Sequence, residues 1–262
     1  ERDSWAYKVT VFPSVPQWET QDSPTTIGLF SLKAVNQNIV WACGGNGSAT
    51  SPVAIRTSNG RNWVNATGNL TGQDLYCITA IDSNRAWVGT GSGKIFATTN
   101  GGATWSQQTY PGTQSPFINA VWMFSNGTGY AMGDPPGTGR FVVLKTTNFG
   151  QVWAHTATEP VGSASEAGWN NSLAMTDANH IWFGTNASRV WRTPDGGTTW
   201  SSAASGSTNS YAIAFKDDNN GIVGHSTGTI RVTNNGGATW TTASSPTATA
   251  VVGLSYLAGT NY

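Results

Sequence analysis

Hydrolysis of a glycoside needs two carboxyl groups held a defined distance apart, and this chain is poor in them, with 13 acidic residues in 262. Asp82, Asp177 and Asp217 recur at one position of a repeated pattern and read as turn formers. Asp134, Glu159 and Glu166 fall in irregular stretches and are the free candidates, with a solvated loop as the competing reading for each. His155, His180 and His225 show no HxH or HExxH spacing, so no metal site is expected. Neither Cys43 nor Cys77 has a partnered base in the sequence, which argues against a catalytic thiol. No catalytic residue and no cofactor is therefore expected.

The elements that must carry these residues follow from a repeat. The pattern T-x-[N/D]-x-G-x-T-W stands at Thr98–Trp105, Thr146–Trp153, Thr193–Trp200 and Thr233–Trp240, with a shortened copy at Thr57–Trp63. The closing tryptophans are 42, 48, 47 and 40 residues apart, a period that marks one supersecondary unit copied several times. Upstream of each box lies an alternating run: Leu29–Asn36, Leu75–Asp82, Ile118–Ser125, Asn170–Asp177, Ser210–Asp217, and a sixth at Val251–Ala258. Its third position is always small (Ser31, Cys77, Ala120, Ser172, Ala212, Gly253) and its fourth always aliphatic, as on a strand where copies converge on an axis. A second strand, a third leading into the box and a fourth starting at the box tryptophan complete four antiparallel strands, the composition of a propeller blade.

The expected fold is all-β: a six-bladed propeller, in preference to seven blades, forming one domain over residues 1–262. Residues 25–262 hold the repeats. Residues 1–24, including the alternating Trp5–Phe12 and Trp18, are expected to supply outer strands of the last blade, closing the ring by pairing the two ends of the chain. A precursor with a longer tail would serve equally well. In the box, Asn59, Asn100, Asn148, Asp195 and Asn235 are expected to accept backbone hydrogen bonds within the hairpin. Trp63, Trp105, Trp153, Trp200 and Trp240 are expected to pack between blades. Cys43 and Cys77 fall in columns that would bring them together across neighbouring blades, leaving a disulfide open.

Charged residues are 10% of the chain and the net charge is zero, so there is no basic footprint for nucleic acid. No apolar run reaches the length that crosses a bilayer as a helix. The chain opens without a basic-then-apolar leader and reads as a mature or trimmed product. A surface rich in Thr, Asn, Gly and Trp points to export, whether periplasmic, cell-surface or extracellular.

The box and its flanking strands resemble the Asp-box, or bacterial neuraminidase repeat, and the stretch Ala86–Trp105 (AWVGTGSGKIFATTNGGATW) is similar to repeats of propellers of the photosystem II stability and assembly factor type. The resemblance covers residues 25–262 and implies the propeller fold. Four of the five boxes carry Asn in place of Asp, which preserves the hairpin role. Sialidases of this kind would need an arginine triad, but Arg56 and Arg192 share one repeat position just before a box and no arginine-isoleucine-proline segment precedes the first box. Relatives that cleave xyloglucan use two large propellers, more than this chain can build.

Connections alternate between the two ends of a blade. The boxes therefore share one face of the ring, and the long variable loops gather on the other. The aromatic and charged members of that loop face are Tyr110, Phe117, Asp134, Arg140, Glu166 and Trp169, the candidate partner-binding residues. The functional expectation is an exported, non-catalytic module that binds a protein or peptide, as part of a larger cell-surface or membrane-associated assembly. The alternative is a propeller that binds or cleaves carbohydrate, with a glycan as ligand.

Overall fold

The computed structural model describes residues 19–137, 139–206, 209–244 and 249–256. It is an all-β propeller. Among the described residues, five four-stranded antiparallel sheets, each with its strands in sequential order, form blades. Blade 1 comprises β1 (Leu29–Ala34), β2 (Val40–Gly44), β3 (Val53–Thr57) and β4 (Trp63–Asn65). Blade 2 comprises β5 (Leu75–Ala80), β6 (Ala86–Thr90), β7 (Ile95–Thr98) and β8 (Ser106–Gln108). Blade 3 runs through β9 (Ile118–Met123), β10 (Gly129–Gly133), β11 (Val142–Thr146) and β12 (Ala154–His155). Blade 4 runs through β13 (Gly168–Met175), β14 (Ile181–Thr185), β15 (Arg189–Thr193) and β16 (Ser201–Ala204). Blade 5 has β17 (Ser210–Phe215), β18 (Gly221–His225), β19 (Ile230–Thr233) and β20 (Thr241–Ala243).

The first strand of each blade lies innermost and touches the first strand of the next, in the order β1, β5, β9, β13, β17. The core sits between blades. Trp41, Cys43 and Ala54 of blade 1 pack on Leu75, Ile78 and Val88 of blade 2, and equivalent layers join blades 2 to 3, 3 to 4 and 4 to 5. The second strands are buried on both faces, which is why β6, β10 and β14 read as short apolar runs between turns. The turn between first and second strands is capped by an Asx side chain. Asp82 Oδ1 accepts the amides of Asn84 and Arg85 at 2.8 and 2.7 Å. Asp177 and Asp217 do the same in blades 4 and 5. These acids are turn residues, as their shared repeat position implied.

The expectation of a ring closed by a last blade falls largely on residues 1–18 and 257–262, which lie outside the described residues. Trp5–Phe12 and Trp18 are among them. Residues 19–24 form no strand; Gln21 instead clasps the first box, accepting from Trp63 Nε1 at 2.6 Å and donating to Gly60 O at 2.9 Å. Val251 docks on blade 5, its amide donating to His225 O at 3.1 Å, and residues 251–256 follow the channel without forming a strand.

Cys43 and Cys77 are free thiols, so the disulfide left open by the sequence is not made. Both side chains point the same way round the ring. Cys43 Sγ faces Leu75 O of blade 2, while Cys77 Sγ faces Ile118 O of blade 3, each at 3.6 Å. Burial pushes the Cys43 thiol well up, reinforced by the neighbouring Cys77, and pushes Cys77 up to about 12. Neither is a nucleophile at neutral pH.

Candidate binding face

The box face is closed upon itself. In each full-length box the threonine hydroxyl donates to the Asn or Asp side chain and accepts the amide of the box glycine. In blade 2, Thr98 Oγ1 donates to Asn100 Oδ1 at 3.0 Å and receives Gly102 N at 3.0 Å. Asn100 Oδ1 then accepts Thr104 N at 3.0 Å. Blades 3, 4 and 5 repeat this geometry at Thr146/Asn148, Thr193/Asp195 and Thr233/Asn235. The shortened box keeps the core of it, with Asn59 Oδ1 accepting the amides of Arg61 and Asn62. Every box also donates a backbone amide to the first hairpin of its own blade: Gly60 to Asn38 O, Gly101 to Asn84 O, Phe149 to Gly127 O, Gly196 to Asn179 O and Gly236 to Asn219 O.

Aromatic and basic side chains bolt this face from blade to blade. Trp105 Nε1 donates to Ala66 O and Trp200 Nε1 to Thr158 O, both in the preceding blade. Trp41, Trp87 and Trp182 reach the following blade, at Asp82 O, Phe149 O and Gly236 O. Arg56 donates to Gly101 O and Arg192 to Gly236 O. These arginines hold the next box.

One cluster here escaped sequence reasoning. Asp177, His180 and Asp218 lie together, with ligand-type atoms within 4.8 Å of one another. His180 Nδ1 bonds Asp177, and Thr176 Oγ1 donates to Asp218 Oδ1. The contact spans two blades, so no local spacing announces it. Its contacts tie the first turn of blade 4 to the first turn of blade 5.

On the loop face, the six expected residues separate. Tyr110 is buried; its hydroxyl accepts Ser115 N at 3.0 Å, and burial raises its pKa. Glu166 is also turned inward, its side chain wholly covered. It accepts from Thr185 Oγ1 (2.9 Å), Trp191 Nε1 (3.0 Å) and Ser163 N (3.2 Å), with Arg189 at 3.4 Å. A buried carboxylate is stable only with such a full set of partners, so these two residues hold loops and are not available to a partner. Asp134 is half-buried, accepts Gly168 N at 2.8 Å and has its pKa raised by burial. Arg140 is exposed and lies against Glu159 O.

Phe117 and Trp169 remain at the surface, and both sit at the mouth of the central channel. Phe117 packs on Tyr76 (ring centres 4.7 Å apart), which stacks on Phe30 at 5.2 Å. Trp169 stacks nearly parallel on Tyr211 at 4.3 Å. Phe30, Tyr76 and Tyr211 occupy the second position of the first-strand run. A bulge in each of those strands, between Leu29 and Ser31, Leu75 and Cys77, and Ser210 and Ala212, shifts the register there. Alternation breaks at that point, and the side chain is delivered to the mouth. In blade 4 the irregularity is larger, running from Gly168 to Leu173. It holds Asn171 at a positive φ of 59°. Asn171 Nδ2 donates to Phe30 O and Tyr76 O, each at 3.2 Å, and its Oδ1 accepts from Ser31 Oγ at 2.8 Å. One side chain thus ties blade 4 to blades 1 and 2 across the channel.

No protein-family model and no curated protein matches the sequence. Solved structures do. YCF48 from Cyanidioschyzon merolae superposes with a TM-score of 0.55 at 19% identity, covering 85% of this chain and 86% of that one. A catalytically inactive virginiamycin B lyase from Staphylococcus aureus with quinupristin gives 0.66 at 15% identity, covering 87% and 73%. A GH74 enzyme from Niastella koreensis gives 0.60 at 17% identity, with 82% of this chain but only 38% of the enzyme covered. At these identities the shared property is the propeller fold.

Proposed function

We propose that this chain is an exported, non-catalytic propeller that docks a protein or peptide on the loop-face mouth of its channel, as one module of a larger assembly. The carrying observation is a pair of aromatic stacks, Phe30–Tyr76–Phe117 and Trp169–Tyr211, gathered from the starts of the first strands of five blades, with Asn171 bonding across from blade 4 to blades 1 and 2. Large, partly exposed aromatic side chains on a rigid frame are the usual anchors of protein recognition. The innermost strands also present backbone groups unused by their own sheet. Asn171 already bonds two of those carbonyls with a side-chain amide, as the backbone of an extended peptide would. The free acids support a non-catalytic reading: Glu166 and Asp134 are engaged as described, and Glu159 Oε1 accepts both His155 Nδ1 and Val143 N.

A displayed peptide library selected on the purified chain tests this, with a glycan array run in parallel. The expected outcome is enriched peptides whose affinity falls at least tenfold in Tyr76→Ala and Trp169→Ala, while His180→Ala on the box face changes nothing. Glycan binding without peptide enrichment, with cleavage of chromogenic glycosides lost in Asp134→Asn, would replace it with the carbohydrate reading.

A further inference from the structure

The fifth position of the first-strand run holds Lys33, Thr79, Trp122, Ala174, Ala214 and Ser255 in the six copies. In the five blades these residues occupy one register: each pairs with its second strand, at Trp41, Trp87, Tyr130, Trp182 and Ile222. They therefore share one level of the channel, and all six line its cavity of about 580 Å³. A ring built for packing alone would carry similar residues at equivalent positions, as the third and fourth positions do. This level is lopsided. Lys33, Thr79 and Trp122 crowd three consecutive blades, and Ala174, Ala214 and Ser255 leave the opposite side open.

Among the described residues, two polar groups at this level lack a hydrogen-bond or ion-pair partner. The Lys33 ammonium lies 4.5 Å over the Trp122 ring, and among the described residues it makes no ion pair. Thr79 is 2% exposed and its Oγ1 has no hydrogen-bond partner. A buried hydroxyl without a partner is destabilising and rare in folded proteins.

We propose that this level of the channel is a carboxylate-binding site, in which Lys33 supplies the positive charge, Thr79 Oγ1 a hydrogen bond and Trp122 a wall for the ligand's hydrocarbon stem. A single ammonium matches a single negative charge, and one ammonium plus one hydroxyl match the two oxygens of a carboxylate. Among the described residues the lining has no guanidinium fork and no second cation for a phosphate dianion. The aliphatic fourth-position residues Ile78, Leu173 and Ile213 line the same cavity and suit a short alkyl chain. Burial lowers the pKa of Lys33. A bound carboxylate raises it again, so binding weakens as the pH climbs through the lysine's own titration. The site does not depend on peptide docking at the mouth, since a small dicarboxylate and a glutamate side chain offer it the same group.

Protein carrying lysine labelled with carbon-13 at Cε tests this. The chain has five lysines, and the Lys33 signal is assigned by its loss in Lys33→Met. Four probes are titrated: succinate, the capped peptide acetyl-Gly-Glu-Glu-Gly-amide, its glutamine counterpart, and inorganic phosphate. The expected result is a saturable shift of the Lys33 signal with a carboxylate probe and none with the glutamine peptide. Thr79→Val should weaken binding at least fivefold, and Thr79→Ser should restore it. Response to succinate alone or to the glutamate peptide as well identifies the source of the carboxylate. Absence of a saturable shift with either carboxylate, or an equal response to phosphate, overturns the proposal. So does a Lys33 signal that already titrates between about pH 3 and 5 in the free protein, which would mean that an acid of this same chain fills the site.

Discussion

The two faces of this ring are built from the same repeat and treat it in opposite ways. On the box face, four full-length hairpins repeat one hydrogen-bond scheme and the shortened one keeps its core; all five dock on their own first turns, and tryptophan and arginine pin the face from blade to blade. On the loop face, the connections differ in length and the first strands carry bulges that bring unlike side chains to the channel mouth. Similarity between copies marks residues that serve the frame. Departure from similarity, at the second and fifth positions of the first strand, marks where the frame meets something else.

Glu166 is the sharpest way to break that division, because it is a loop-face residue with a structural role. Glu166→Ala leaves Trp191 Nε1 and Thr185 Oγ1 without an acceptor and Arg189 without its counter-charge. The expected loss is about 3 kcal/mol, read as a fall in denaturation midpoint, with Glu166→Gln costing much less because it keeps an acceptor. A loss under about 1 kcal/mol would mean that the loop is as disposable as its variable length suggests.

Two glycines make the comparison like for like. Gly102 in the second box and Gly47 on the loop face both have positive φ, 84° and 76°. A Cβ on Gly102 would lie 2.3 Å from Ala66 O, a backbone atom of the preceding blade, whereas one on Gly47 meets nothing within 4 Å. Gly102→Ala should cost about 2–3 kcal/mol and Gly47→Ala about 1 kcal/mol, the latter for conformation alone. Equal costs would show that the box turn can move away from its neighbour, and that the two faces differ less than their hydrogen bonds imply.

The frame was legible in the sequence because a repeat reports itself: strand columns, Asx turns and the box all follow from the alignment of the chain with itself. The mouth was only half legible. Phe117 and Trp169 stand out as aromatic residues in loops, but Phe30, Tyr76 and Tyr211 look like ordinary strand residues until the bulge reorients them. Tyr110 and Glu166 went the other way. A loop sequence does not say whether a polar side chain turns outward or folds back under its own loop, since that depends on donors such as Trp191 Nε1, 25 residues away. The thiols show the same limit. Their columns place them in neighbouring blades, but only the direction of each Cβ decides whether they meet or, as here, follow one another round the ring.

The smallest effect tests whether the boxes are interchangeable. Blade 4 alone carries Asp at the box position where the other four carry Asn. Asp195 is held down to about 2 by hydrogen bonds, the largest from the Thr199 hydroxyl and amide, and further ones from Thr193 and Thr198 N. A carboxyl whose folded pKa lies below its unfolded value adds stability above the unfolded pKa, near 3.8, and loses it as the pH falls through about 2. The group is almost fully exposed, so water screens most of this, leaving roughly 0.5 kcal/mol. Asp195→Asn should therefore change the denaturation midpoint little at pH 7, where the amide oxygen accepts the same amides. Between about pH 4 and 2 the wild type should lose ground relative to the variant, because only the wild type has a carboxyl there to protonate. Parallel acid profiles would show that Asp195 is bonded no better in the folded chain than in the unfolded one. The hairpin's stability would then rest on the threonine-to-glycine bond that all four full-length boxes share.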